Sequence, residues 1–204
     1  MLRNFFVAIF AGSGALAQAP LPVLKVEPTG GGSYFYVKNV AAQPLTGYLI
    51  ELVDYPGSSY SLWTDEATGE PLAPGAEKKI RVTNMTVGAV PDYVKLQAAI
   101  YADRSTAGVP EKVTQFIERR KQLLATTREL ITRLEKPGTT SADLKTWANS
   151  LDSGKRFSQA SINAAAARGL IFETAGMLDS HPAAEIVVQL KAHEKVLAEA
   201  TSRN

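Results

Sequence analysis

The sequence contains no cysteine, and this absence excludes several kinds of chemistry. Disulfides, cysteine nucleophiles and cysteine-ligated zinc sites all require thiol groups. A bacterial lipoprotein anchor is excluded as well, because the acylated residue of such an anchor is a cysteine. The folded chain must therefore be stabilised by its core alone, and 204 residues are enough for one or two domains.

Histidine is nearly absent, since the chain contains only His181 and His193. His181 precedes a proline in a predicted turn, and His193 lies on the apolar stripe of a predicted helix. The chain has neither the His-x-x-x-His spacing of a helical zinc site nor the Gly-x-Ser-x-Gly motif of a serine hydrolase. The sequence therefore predicts no catalytic residue, no metal and no cofactor, and both histidines are expected to be structural.

A strong excess of charge of one sign is also missing, because 22 basic residues stand against 20 acidic ones. Residues 18–106 carry 7 basic and 9 acidic side chains, whereas residues 107–204 carry 14 and 11. Nucleic-acid binding domains usually have a much stronger basic patch. Nucleic acid is therefore not an expected partner.

No apolar run reaches the ~20 residues that a membrane-spanning helix needs. The N-terminus instead has a short apolar run, broken by glycines, between Arg3 and the small-x-small motif Ala15–Ala17. This pattern predicts a signal peptide over residues 1–17, cleaved before Gln18, with a less favoured second site ending at Ala19. We therefore expect a periplasmic or extracellular protein that keeps no integral membrane segment after cleavage.

Residues 18–106 have the pattern of a β domain. Short runs rich in Val, Ile, Tyr and Phe alternate with clusters of Gly, Pro, Asp and Ser. Several runs alternate apolar and polar residues, which places one side of each strand in a core. The predicted strands are 23–28, 33–40, 45–54, 59–64, 77–83 and 93–102.

Four segments of this region resemble bacterial extracytoplasmic immunoglobulin-like or fibronectin-type-III-like domains. They are Phe35–Val40, Pro44–Tyr48, Leu72–Gly75 and Ile80–Val82. The resemblance implies an antiparallel β-sandwich of six or seven strands, and a role in interaction or spacing more than in catalysis. Six strands are predicted here, because the chain becomes helical where a last edge strand would follow.

Residues 107–204 have a helical pattern, so the predicted fold class is α+β. A long helix begins at Pro110 and carries apolar residues at spacings of three, four and seven until Pro137-Gly138 ends it. Shorter helices are predicted from an N-cap at 139–143 to Leu151, over 158–178 and over 182–202. The C-terminal region therefore contains about four helices.

Three aromatic residues are candidates for ligand binding. Tyr55, Tyr60 and Trp63 lie in or beside the Gly57–Ser59 turn and the short strand after it. Exposed aromatic rings of this kind stack on sugars or fill a partner's pocket. The favoured alternative is that Trp63 is the core aromatic between the two sheets, because buried aromatics dominate sandwich cores.

The middle of the long helix is a candidate partner-binding surface. Arg120 and Thr127 interrupt its apolar stripe, with Leu124 between them. A helix in a private core rarely places an arginine there, so this middle part is expected to be exposed. The N-terminal end of the helix should contact the sheets, and its C-terminal end should contact the other helices.

Together these patterns favour an exported, non-enzymatic interaction or structural module, with an unidentified protein as its partner. A carbohydrate-binding or envelope-polymer-binding module is the first alternative, with Tyr55, Tyr60 and Trp63 as its platform. An enzyme with an unrecognised site is the second alternative.

The signal peptide leads to a direct prediction. When the full chain is expressed in a bacterial host, N-terminal sequencing of the exported protein should begin at Gln18, because the small-x-small motif precedes it. Recovery of the protein from the membrane with Met1 intact would contradict this expectation.

Overall fold

The computed structural model describes residues 19–54, 60–65, 69–83, 91–151, 154–155 and 158–201. In this part of the chain, two antiparallel sheets are followed by four α-helices, which confirms the α+β class. The predicted signal peptide and Tyr55 lie outside the described residues.

The strand bounds follow the predicted ones closely. They are β1 Val23–Thr29, β2 Gly32–Lys38, β3 Leu45–Leu52, β4 Ser61–Asp65, β5 Glu77–Thr83, β6 Val94–Tyr101 and β7 Thr106–Gly108. Sheet A has the strand order β1-β2-β5, and sheet B has the order β4-β3-β6-β7. The short strand β7 was not predicted; it pairs with β6 and continues past residue 106, where the β region was expected to end.

The two sheets share one apolar core. Phe35 and Val37 of sheet A and Tyr48 and Ile50 of sheet B belong to a single buried cluster. The two residues of each pair are two positions apart in their strand, so period-two alternation places both on the same face of the sheet. The apolar alternation in the sequence therefore specifies which faces of the sheets meet.

The strand β3 is buried on its second face as well, because a helix covers sheet B from outside. Leu49 belongs to a second cluster with Ala98 and Ile100 of β6 and with Phe116. Phe116 lies in the first turns of α1, which spans Pro110–Leu134. A strand covered on both faces is apolar at successive positions, as β3 is over residues 48–50.

The C-terminal half of α1 belongs to the helical region. Leu130, Ile131 and Leu134 share a third cluster with apolar residues of the three later helices. These helices are α2 Ser141–Ser150, α3 Gln159–Leu178 and α4 Ala183–Thr201. The expectation that α1 contacts the sheets at its N-terminal end and the helices at its C-terminal end is confirmed.

The start of α2 confirms the predicted cap. The Thr140 hydroxyl accepts a hydrogen bond from the Asp143 backbone amide at 3.2 Å, and the Asp143 carboxylate accepts one from the Thr140 amide at 2.9 Å. This reciprocal pair satisfies two amides that a helix N-terminus otherwise leaves without intrahelical partners. The helix that follows the Pro137-Gly138 break is therefore specified locally by its own sequence.

Gly47 of β3 allows α1 to approach sheet B closely. A Cβ atom at this position would lie 2.7 Å from Cζ of Phe116 and 2.8 Å from Nη2 of Arg120. Both distances are shorter than a normal van der Waals contact, so only glycine fits without displacement of the helix side chains.

We therefore predict that Gly47→Ala lowers the free energy of unfolding by ~1–3 kcal/mol, the usual cost of overpacking a core. Chemical denaturation monitored by circular dichroism measures this change. The matched control is Gly30→Ala, because a Cβ at Gly30 meets no atom within 4 Å. An equally small effect of both substitutions would mean that the α1–sheet contact is loose.

Candidate functional site

Trp63 packs beneath α1, on the outer face of sheet B. Its ring centroid lies 5.5 Å from that of Phe116, with the two planes tilted by 53°. The guanidinium carbon of Arg119 lies 5.7 Å from the Trp63 ring centroid. Trp63 is thus neither the core aromatic between the sheets nor an open platform, because period-two alternation turns it to the helix-covered face.

Tyr60 precedes β4 and packs in the opposite direction. Its ring lies 6.4 Å from Phe35 in an edge-to-face arrangement, against the core between the sheets. Burial raises the pKa of the Tyr60 hydroxyl. Because Tyr55 lies outside the described residues, the structure describes only Tyr60 and Trp63 of the three predicted aromatics. These two pack against different cores, yet they line one cavity.

Three adjacent cavities form a groove between sheet B, α1 and α3. The middle cavity has a volume of about 380 Å³ and lies between Trp63, Arg119 and the small side chains of α3. A neighbour of about 310 Å³ shares Tyr60, Ser61 and Ile162 with it. Another neighbour, of about 390 Å³, shares Trp63 and Arg119 and extends to α4. We call these three cavities together the groove.

Arg120 forms the main polar contact between α1 and sheet B. Its side chain is 3 % exposed, and its Nε and Nη2 atoms donate to the Asp65 carboxylate of β4 at 2.7–3.0 Å. Nη2 also donates to the Thr46 backbone carbonyl at 2.9 Å. The register between β3 and β6 shifts between Leu45 and Gly47. A bulge of this kind takes the residue between them, Thr46, out of regular strand pairing.

Arg119, one residue earlier, has a different environment. It lines both the middle cavity and the cavity that extends to α4. Its Nη1 atom is buried and has no hydrogen-bond partner within the described part of the chain. Burial lowers the pKa of the Arg119 guanidinium, and the Asp65 carboxylate partly opposes this shift. A cationic group is thus held in the groove wall without full compensation.

His193 of α4 lines the same end of the groove as Glu173 of α3 and Asp65 of β4. Burial lowers the pKa of His193, while the two carboxylates partly oppose this shift. The shift favours the neutral imidazole, which can donate one hydrogen bond and accept another. His181 is exposed, and its Nδ1 lies 2.8 Å from the Ser180 hydroxyl. Sequence reasoning treated His193 as a helix-contact residue and missed its place in this cavity.

The predicted exposure of the middle of α1 is wrong for two of the three candidate partner-binding residues. Arg120 and Thr127 are 2 % and 0 % exposed, and Leu124 is partly buried. Arg120 is satisfied by Asp65, which is distant in sequence, and the Thr127 hydroxyl donates to the Leu123 carbonyl at 2.8 Å. A threonine that bonds within its own helix can be buried without a further partner. The position of Leu124 supports no partner contact by itself.

The outer face of sheet A has aromatic and charged side chains that satisfy one another. Lys79 Nζ lies 4.0 Å from the Tyr34 ring centroid and 5.2 Å from that of Tyr36. The Tyr36 hydroxyl donates to Glu27 at 2.6 Å, and Lys25 pairs with the same carboxylate at 2.7 Å. Because these groups compensate each other, this face is a weaker candidate than the groove.

Comparison of the chain with protein families, with curated proteins and with solved structures gives no match. Over the residues that the structure describes, no cluster of three or more His, Asp or Glu side chains is arranged to hold a metal ion. No helix within the described ranges has the length and apolar character needed to cross a membrane.

The Arg120–Asp65 pair leads to a stability prediction. Arg120→Met should lower the free energy of unfolding by ~3–5 kcal/mol, because it removes the guanidinium that neutralises a nearly buried carboxylate. Chemical denaturation measures the loss. Adding Asp65→Leu to Arg120→Met should restore much of it, since both charges are then gone.

Lys121→Met is the matched control, because Lys121 is exposed and its pair with Glu118 is also exposed. Exposed pairs contribute ~0–1 kcal/mol, so this control should have little effect. If Arg120→Met and Lys121→Met lowered the free energy of unfolding equally, the Arg120–Asp65 pair would not stabilise the contact between α1 and sheet B.

Proposed function

We propose that this chain is an exported, non-enzymatic interaction module whose ligand occupies the groove. The observation that carries the proposal is that three adjacent cavities lie between the sheet region and the helical region, two of them sharing Trp63 and Arg119. Ligand sites commonly lie in concave surfaces between structural units, where apolar walls surround a few placed polar groups. The groove has this character.

The lining of the groove favours recognition over catalysis. The middle cavity is lined by two aromatic residues, Tyr60 and Trp63, by one guanidinium and by the small polar residues Ser61 and Ser161. Such groups hold a ligand by packing and hydrogen bonding. The Asp65 carboxylate at the adjoining end is engaged by Arg120, which limits its use as a base. This supports the non-enzymatic hypothesis over an enzyme with an unrecognised site.

We also propose that the two sheets form a fibronectin-type-III-like variant of the immunoglobulin fold. In constant-type immunoglobulin domains, the fourth strand lies in the sheet of the first, second and fifth strands. Here β4 pairs with β3 in the other sheet, which gives a three-stranded and a four-stranded sheet. The expected relation to extracytoplasmic sandwich domains is supported by this strand order and by the shared core between the sheets.

Export is the remaining part of the proposal and rests on the sequence pattern at residues 1–17. An exported binding module encounters the polymers and proteins of the cell envelope. A carbohydrate or an envelope polymer is therefore one class of ligand that the same groove would bind. Trp63 would contact such a ligand as part of the groove wall, and not as part of an exposed aromatic platform.

The proposal predicts that Trp63 reports on ligand binding. The chain has two tryptophans, so Trp147→Phe leaves Trp63 as its single indole fluorophore. In this background, at least one member of a panel of neutral sugars, sugar acids, amino acids and short peptides should change the Trp63 emission. Fluorescence titration measures the response, and the expected physical cause is loss of water from the groove.

Ala166→Phe should abolish this response, because Ala166 lines the two cavities that meet at Trp63. Ala192→Phe is the matched control, since Ala192 is an exposed alanine within α4. A panel without any response, or a response that Ala166→Phe leaves intact, would argue against the groove as the binding site.

A further inference from the structure

Two polar atoms on one face of α1 are buried without a hydrogen-bond partner in the described structure. They are Nη1 of Arg119 and Oε1 of Gln115. Residues four apart lie on the same face of an α-helix, about 6 Å apart along its axis. A positively charged donor, Arg119, and a neutral acceptor, Gln115, therefore lie one turn apart on the same face of α1.

Both residues line the groove, in neighbouring cavities. Gln115 lines the cavity of about 310 Å³, and Arg119 lines the cavity of about 380 Å³. Tyr60, Ser61 and Ile162 line both cavities, so the two spaces are adjacent. A single elongated ligand in the groove would therefore lie against both side chains.

Other polar residues of α1 have ion-pair or hydrogen-bond partners for their side chains, which these two atoms lack. Lys112 pairs with Glu51 at 2.7 Å, and Arg120 pairs with Asp65 at 2.7 Å. Thr126 and Thr127 donate to carbonyls of their own helix at 2.9 Å and 2.8 Å. Buried polar groups are nearly always hydrogen-bonded, so an exception in a cavity wall indicates a missing partner.

The chemistry of the two atoms specifies the complementary ligand. A guanidinium Nη atom donates and carries positive charge, and its strongest partner is a carboxylate oxygen. An amide oxygen accepts, so its partner is a hydroxyl or N–H group. The guanidinium carbon lies 5.7 Å from the Trp63 ring centroid, so the cation is held beside the aromatic ring of the groove wall.

We propose that the groove binds a ligand with a carboxylate for Arg119 and, one helical turn along α1, a hydroxyl or N–H donor for Gln115. Sugar acids and acidic amino acids both have this chemistry. The assignment rests on the proposed function, because it names the ligand class of the same groove. Arg119 and Gln115 are thus binding residues that sequence reasoning did not select.

The test uses the Trp147→Phe chain and four probes: glucuronate, glucose, and glutamate and glutamine that are both acetylated at the α-amine and amidated at the α-carboxyl. Glucose lacks the carboxylate of glucuronate, and the blocked glutamine lacks the single carboxylate of the blocked glutamate. We expect at least one acid to bind at least tenfold more tightly than its neutral counterpart, by Trp63 fluorescence titration. Preference for glucuronate assigns a sugar acid, and preference for glutamate assigns an acidic amino acid or peptide.

Arg119→Met should weaken binding of the preferred acid at least tenfold and leave its neutral counterpart unchanged. The same substitution should leave the melting temperature of the ligand-free chain unchanged or raise it, because an uncompensated charge is removed from the wall. Gln115→Leu should weaken the same acid but not acetate, which carries a carboxylate and no hydroxyl.

Two results separate the ligand class from the groove itself. Equal binding of acid and neutral probes, abolished by Ala166→Phe but not by Arg119→Met, would overturn the carboxylate assignment and keep the groove. No response to any probe would overturn the assignment, and no response across the wider panel would overturn the proposed function too. The comparison of acid with neutral probe needs no Arg119 variant, so it decides even if Arg119→Met fails to fold.

Discussion

The arrangement of this protein depends on one buried ion pair, between Arg120 of α1 and Asp65 of β4. The guanidinium also reaches the carbonyl of Thr46, so it joins the helix to two strands of sheet B. A buried pair adds little stability compared with apolar packing, but it tolerates few alternative positions of its partners. The pair holds α1 against two strands beside the groove, since Arg120 follows Arg119 on α1 and Asp65 lies two residues after Trp63 on β4.

The helix α1 is shared by two cores, and this makes the two regions of the chain interdependent. Phe116 packs into the outer face of sheet B, while Leu130 and Leu134 pack into the helical cluster. The predicted boundary at residues 106 and 107 falls inside β7, and α1 packs on both sides of it. Apolar surface of each region would be exposed if α1 left either one, so α1 couples their folding.

Local patterns predicted most of the fold, because strands, caps and helix stops are encoded within a few residues. The alternation around Phe35 and the cap at Thr140 both lead directly to observed elements. The site was harder to predict, since it depends on contacts between distant residues. An arginine that interrupts an apolar stripe is compatible with an exposed helix face and also with a buried ion pair. For Arg120, only the contact with Asp65 shows which of these two environments is present. The short β7 carries too few residues for a periodic signal.

The wall that α3 contributes to the groove has alanine or glycine at three positions, 165, 166 and 169. Alanine and glycine have no side-chain rotamers to lose, so these three positions become no more ordered when a ligand arrives. At these positions the space available to a ligand is bounded by the helix backbone and short side chains. The groove is therefore preorganised there, and the main chain of α3 contributes to discrimination between ligands of different width.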